Sequence, residues 1–194
     1  MTELARLDEA VAPVVAHARR GDAEAFTELV RTCRPLIYRW AYVDTGEPDD
    51  AEDIAQEVLV RLYRRLHTFR EGSSFTTWLY RITRNITMDR ERTRARRRRL
   101  WPVGGAALPA RSESGAEDAV VREDAAAILH GFMERLPRRQ RQALDLVDLQ
   151  GLTAVEAAAL LGVDAGTVRA HLHRARRTLR SVILEHLPEM AEES

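Results

Sequence analysis

A single cysteine, Cys33, in a chain of 194 residues leaves no disulfide framework and no structural zinc site built on paired thiolates. It falls on an apolar helical stripe and reads as a core position. Lysine is absent: all 30 basic residues are arginine, matched by 30 acidic ones, so the net charge of zero gives no hint of a polyanionic partner. The distribution of charge does. No apolar run approaches the roughly 20 residues that span a bilayer, and the opening MTELARLDEA lacks the basic-then-hydrophobic order of a signal peptide. The expectation is a soluble, cytoplasmic protein. A GxxxxGK[ST] phosphate loop is missing too, and His171 and His173, two apart on a helix, do not share a face for metal ligation. No nucleophile, base and orienter can be assembled, so the chain reads as a non-enzyme with no implied cofactor or metal.

What is there is helical periodicity. Phe26, Leu29, Val30, Cys33, Ile37 and Trp40 recur at three- and four-residue steps, with Pro35 inside the stripe predicting a kink or a split. A second stripe runs through Ile54, Val58, Leu62 and Leu66, and a third through Phe75, Trp78, Leu79, Ile82 and Ile86, separated by Gly72, Ser73 and Ser74. The stretch 102–117, PVGGAALPARSESGAE, has no sustained period and marks an interdomain linker. Beyond it, Val121, Ile128, Leu129, Phe132 and Leu136 predict a helix ending at Pro137, Leu144 and Val147 belong to another, and two short helices follow. Nothing alternates like a strand. The fold class is therefore all-α, two small helical domains joined by a flexible linker: an N-terminal arm over 1–21, a first module over 22–100, the linker over 101–119, a second module over 120–185 and a tail over 186–194.

Near the C-terminus, Thr153 with Glu156 three residues on fits a capping box, Gly162 suits a helix stop, and Asp164 can cap the next helix. This is helix, tight turn, helix. In the second helix Val168, Leu172, Ala175 and Leu179 line one face; Ala170, His173, Arg174 and Arg177 lie opposite, flanked by Arg169, His171 and Arg176. Five arginines and one acid between Asp164 and Arg180 suit a phosphate backbone and guanine edges in a major groove. A solvated, arginine-rich surface is the plainer reading of the same pattern.

The middle of the chain carries a charge switch. Seven acids and no bases lie between Asp44 and Glu57, fitting either a docking surface or helix N-terminal charge on Asp49 and Asp50. Farther on, Phe75, Trp78 and Tyr80 stand among Arg81, Arg84 and Asn85, and seven of the ten residues from Arg90 to Arg99 are arginine. Aromatic surfaces beside arginines suit unstacked bases and phosphates. Trp78 lies on the apolar stripe and reads as core, leaving Phe69 and the Gly72-Ser73-Ser74 loop to receive a base.

Taken in order, DAEDIAQEVLVRLYRRL, TFREGSSFTTWLYRITRNITMDRER and RLPRRQRQALDLVDLQGLTAVEAAALLGVDAGTVRAHLHRARRTLR resemble the conserved stretches of extracytoplasmic function (ECF) sigma factors of the sigma-70 family. The resemblance implies a region 2 that docks on the β′ clamp helices of core RNA polymerase and opens the minus-ten element, and a region 4 that reads the minus-35 element and meets the β flap. Carried over by position, Asp53, Gln56, Glu57, Leu59 and Val60 would form the polymerase surface. Phe69, Ser73, Phe75, Thr77, Arg81, Arg84 and Asn85 would hold the melted minus-ten strand. Arg138, Thr167, Arg169, Ala170, His171, Arg174 and Arg177 would face the minus-35 element. The pattern departs from the family at Ala170 and His171, where a serine and a basic residue are expected. An anti-sigma factor is implied as a further partner. The competing reading from the residues alone is a one-component helix-turn-helix regulator that binds duplex DNA as a dimer without polymerase.

Overall fold

The computed structural model describes residues 2–70, 74–100, 131, 133 and 135–186, the side chains of 97–100 and 182–186 excepted. Seven helices account for most of the described residues: α1 (Glu3–Arg19), α2 (Ala23–Thr45), α3 (Pro48–Arg65), α4 (Phe75–Leu100), α5 (Arg138–Leu144), α6 (Ala154–Leu161) and α7 (Ala165–His186). A 3₁₀ turn over Leu66–Thr68 ends α3, and a π turn over Asp145–Leu149 extends α5. No strand occurs among the described residues, in accord with the all-α expectation. The linker 101–119 and nearly all of the helix expected before Pro137 lie outside the described residues.

Within the stretch expected as an N-terminal arm, Glu3–Arg19 forms a helix. Thr2 caps it by accepting from Ala5 N, and Leu4, Val11, Val15 and Ala18 are buried along one face. α1 lies across α2 and the start of α4.

α2 is a single helix through Pro35, which excludes the split of the two outcomes expected there. Leu29, Cys33, Ile37 and Trp40 are buried whereas Pro35 is exposed. The hydrogen bond that proline removes is thus lost on the solvent side, and the packed face continues. α2 stops at Gly46, whose φ of +75° is open to glycine without strain. Burial pushes the Cys33 thiol up to about 12, with the Asp8 carboxylate adding to the rise, so Cys33 is an inert core residue. α3 begins with Pro48, pre-set for the first helical turn, followed by Asp49 and Asp50 on the positive end of the dipole.

The capping signals of the second group of helices take the form the sequence suggested. Thr153 Oγ1 accepts from Glu156 N at 3.2 Å while Glu156 Oε2 accepts from Thr153 N at 2.8 Å, closing the box. α6 ends on Gly162 at φ +62°, and Asp164 Oδ1 accepts from Thr167 N at 2.8 Å to open α7. Ala157, Leu160, Leu161, Val168, Leu172 and Ala175 form the core between the two helices.

Candidate nucleic-acid interface

α7 projects the basic face the periodicity called for. Val168, Leu172 and Ala175 are buried, and Arg169, Ala170, His173, Arg174 and Arg177 are exposed. Arg176 differs, because both of its ends bond to Asp148 at 2.5 and 2.9 Å, which leaves the face to Arg169, Arg174 and Arg177. His171 is half-buried with Nδ1 facing inward and unpaired. Burial first, then Arg174 and Arg139, pull its pKa below the usual histidine value, so the ring is neutral at pH 7. Thr167 spends its amide and hydroxyl on Asp164.

The aromatic cluster at the start of α4 differs from the sequence pattern in which ring is most open. Phe69 is 6% exposed and Phe75 4%, their rings edge to face at 5.4 Å, so both are packed into the core in this arrangement. Trp78 packs on Phe69 at 5.3 Å but stays half-buried, and it is the more open of the three. The reason is position: Phe69 follows the 3₁₀ turn directly and is driven under α4, while Trp78 lies one turn along at the edge. Ser73 is outside the described residues. Thr77 is half-buried, its hydroxyl 2.8 Å from Ser74 Oγ, and Arg81 and Asn85 are exposed.

On α3, Asp53, Gln56 and Val60 are exposed and Leu59 packs partly against the core. Tyr63, 70% exposed, meets Phe26 edge to face at 5.1 Å and extends this surface, which sequence reasoning missed. The acids are not bare. Arg90 reaches Asp53 and Glu57, both at 3.2 Å, Arg61 reaches Glu57 at 3.3 Å, and Arg94 reaches Asp50. The start of the arginine run is therefore laid along α3 as exposed ion pairs, each worth little singly.

Two of the expected DNA-binding arginines are engaged between the two groups of helices. Arg84 Nη2 donates to the Leu161 carbonyl at the end of α6 at 2.9 Å. Arg138 donates to Asp44 at 3.1 Å and pairs with Glu91. Burial works against its charge, but the carboxylates of Asp44 and Glu91 outweigh this and raise its pKa. The network continues through Gln142 to Asp44 at 2.5 Å, Arg39 to Asp145 at 2.7 Å, and the Trp40 indole N–H to Gln150 at 3.2 Å. Burial pushes the Asp145 carboxyl above its ordinary range despite Arg39. Sequence reasoning missed this boundary, although Asp44 stands four residues beyond Trp40 on the buried stripe of α2, where an acid needs a partner.

Comparison with known proteins bears on these surfaces. The sequence model of Sigma-70 region 2 matches residues 29–97 and that of Sigma-70, region 4 matches residues 126–179. The ECF RNA polymerase sigma factor SigE of Mycolicibacterium smegmatis is 36% identical over 169 residues, which are 87% of this chain and 65% of that protein. SigW of Bacillus subtilis is 32% identical over 173 residues, 86% of this chain and 92% of the relative. Among solved structures, the sigma factor RpoE in complex with the anti-sigma factor NepR from Bartonella quintana superposes with a TM-score of 0.62 at 24% identity, covering 83% of this chain and 98% of that one. CnrH in complex with the cytosolic domain of CnrY gives 0.58, also at 24%, over 88% and 94%. At that identity the structures speak for the fold. The sequence relatives speak for more, and they favour a sigma factor over a one-component regulator. With a hundred and more residues of shared sequence at this level, spanning both groups of helices, the chain belongs to the ECF RNA polymerase sigma factors.

Proposed function

We propose that this chain binds core RNA polymerase, directs it to a defined set of promoters, and helps open the minus-ten element. The observation that carries the reading is the α7 face, where Arg169, Arg174 and Arg177 stand exposed on a helix held by a capped, glycine-terminated turn. A helix so mounted is suited to a major groove, with arginines for guanine edges and phosphates. Arg81, Asn85 and the half-open Trp78 are the region 2 counterparts for a single strand. Asp53, Gln56, Val60 and Tyr63 present a mixed acidic and apolar strip to the polymerase. An anti-sigma factor is a further partner on this reading, as relatives of the same fold are solved with one.

Arg84 and Arg138 cannot hold Leu161, Asp44 and Glu91 and grip DNA at once. Promoter binding therefore requires the two groups of helices to part. The test is run-off transcription from a library of promoter fragments with core polymerase, with and without the chain. Initiation from a subset only when both are present is expected; duplex binding by the chain alone, with no gain in initiation, would overturn the reading.

A further inference from the structure

Three hydroxyl-bearing residues open α4, and only one of them reaches outside its own element. Ser74 accepts from Thr77 N at 3.0 Å, capping the helix in the ordinary way. Thr83 and Thr87, farther along, return their hydroxyls to the carbonyls four residues behind, at 3.1 and 3.0 Å. Thr76 is in the first turn, where no helical carbonyl lies behind it, and it is 1% exposed. A buried hydroxyl and a buried orphan N–H need a partner. Both find it in Asp8, 68 residues earlier: Thr76 N donates to Oδ1 at 2.7 Å and Thr76 Oγ1 donates to Oδ2 at 3.0 Å.

This carboxylate comes from α1, before the Sigma-70 region 2 match begins at residue 29. Its two oxygens bind one residue through two bonds, which fixes both the height of α4 and its rotation. The charge sits on the positive end of the helix dipole, where it is favourable. Downstream the same hydroxyl chain continues: Ser74 Oγ is 3.2 Å from Thr76 Oγ1 and 2.8 Å from Thr77 Oγ1. Thr76 is flanked by Phe75, which packs at 5.8 Å on Trp78, and by Thr77. Arg81 follows one turn after Thr77. A rotation of α4 about its axis would move Thr77, Trp78 and Arg81 together.

We propose that Asp8 is a positioning residue for the minus-ten strand, clamping the first turn of α4 so that Thr77, Trp78 and Arg81 are set before DNA arrives. The inference rests on the reading of these α4 residues as strand-binding. Asp8 does not touch DNA; it acts through Thr76.

The experiment uses the full chain with core polymerase and a promoter fragment taken from the run-off library, mismatched across the minus-ten element so that its non-template strand is already single. Asp8→Ala is expected to weaken binding of this fragment about tenfold, the scale of a lost charge-assisted hydrogen bond, with affinity for core polymerase unchanged. Asp8→Asn keeps an acceptor for Thr76 N–H and should recover part of the loss. Thr76→Val is near-isosteric, keeps the amide bond and removes only the hydroxyl, so it should fold and give an intermediate defect. Asp22→Ala is the control: Asp22 caps α2 through Glu24 N and Ala25 N, and its loss should lower the melting temperature without weakening fragment binding. If Asp8→Ala and Thr76→Val bind like wild type, or if Asp22→Ala weakens binding as much for the same loss of melting temperature, the role of Asp8 is overturned. Failure of the wild-type chain itself to bind the fragment with core polymerase overturns the sigma reading, and Asp8 with it.

Discussion

At the scale of single residues, the arginines divide by whether an acid has already claimed them. Arg176 belongs to Asp148, Arg90 to Asp53 and Glu57, and Arg138 to Asp44 and Glu91. Arg169, Arg174 and Arg177 remain on the open face of α7. Arg174→Ala should therefore weaken promoter binding by the holoenzyme by about 1–3 kcal/mol if it reads a base edge, while affinity for core polymerase is unchanged. A loss spread evenly over unrelated promoters would reduce Arg174 to a phosphate contact. Asp53→Ala with Glu57→Ala should do the reverse, lowering polymerase affinity with DNA contacts intact. The fold should hardly notice, since the bonds to Arg90 are exposed. Equal losses of both activities in the two variants would refute this division of labour. The departure at Ala170 and His171 fits the same picture: one residue has no polar side-chain group and the other turns a ring nitrogen inward, so neither competes with the exposed arginines beside them.

At the scale of elements, what could be read from the sequence was what is decided locally. The box of Thr153 and Glu156, the stop at Gly162 and the cap at Asp164 each need only a few neighbouring residues, and all three stand where their spacing put them. The continuity of α2 through Pro35 and the docking of α1 were not legible in the same way. Whether a proline's lost hydrogen bond falls inward or outward, and whether Leu4, Val11, Val15 and Ala18 find a surface to cover, are decided by packing. The burial of Phe69 was not legible for the same reason, because nothing local tells which of three clustered rings is driven under the helix. Local caps make a local prediction. Thr153→Ala should cost about 1 kcal/mol and leave the first group of helices untouched, as thermal melting would report. Hydrogen bonds from Thr153 hold the Glu156 carboxyl below its usual range, and those from Thr167 do the same for Asp164. Their folded pKa values are depressed, so this stabilisation is present above the ordinary carboxylate pKa and lost as pH falls through the lowered values. The melting temperature of wild type should fall with acid over that window, and that of Glu156→Gln less steeply.

At the scale of the whole molecule, the boundary between the two groups of helices carries a buried network of charge and amide groups beside its apolar contacts. Asp44, Gln142, Asp145 and Gln150 are at most 6% exposed, and each finds its partner across the boundary or beside it. No sequence pattern pairs Asp44 with residues 94 and 98 positions away, since the pairing exists only once two separate helical stacks meet. The polar part of such a boundary opposes opening little, because each of its groups can be hydrated when the helices part. Asp44 is the place to test it. It receives Arg138 and Gln142 together, and its loss leaves the buried Gln142 amide without its acceptor and Arg138 with Glu91 alone, but only while the boundary is closed. Leaving the buried Gln142 amide unpaired costs about 1–3 kcal/mol in the closed arrangement, and nothing comparable in the open one, where water takes its place. Asp44→Ala should therefore shift the chain toward the parted arrangement, seen as a larger radius of gyration in small-angle scattering. Because Arg84 and Arg138 are released by the same opening, promoter binding by the holoenzyme should rise rather than fall. An unchanged radius would mean that the boundary is held elsewhere, through Arg39 and Asp145 or Trp40 and Gln150. A larger radius with weaker promoter binding would mean that the closed arrangement does not compete with DNA for these two arginines.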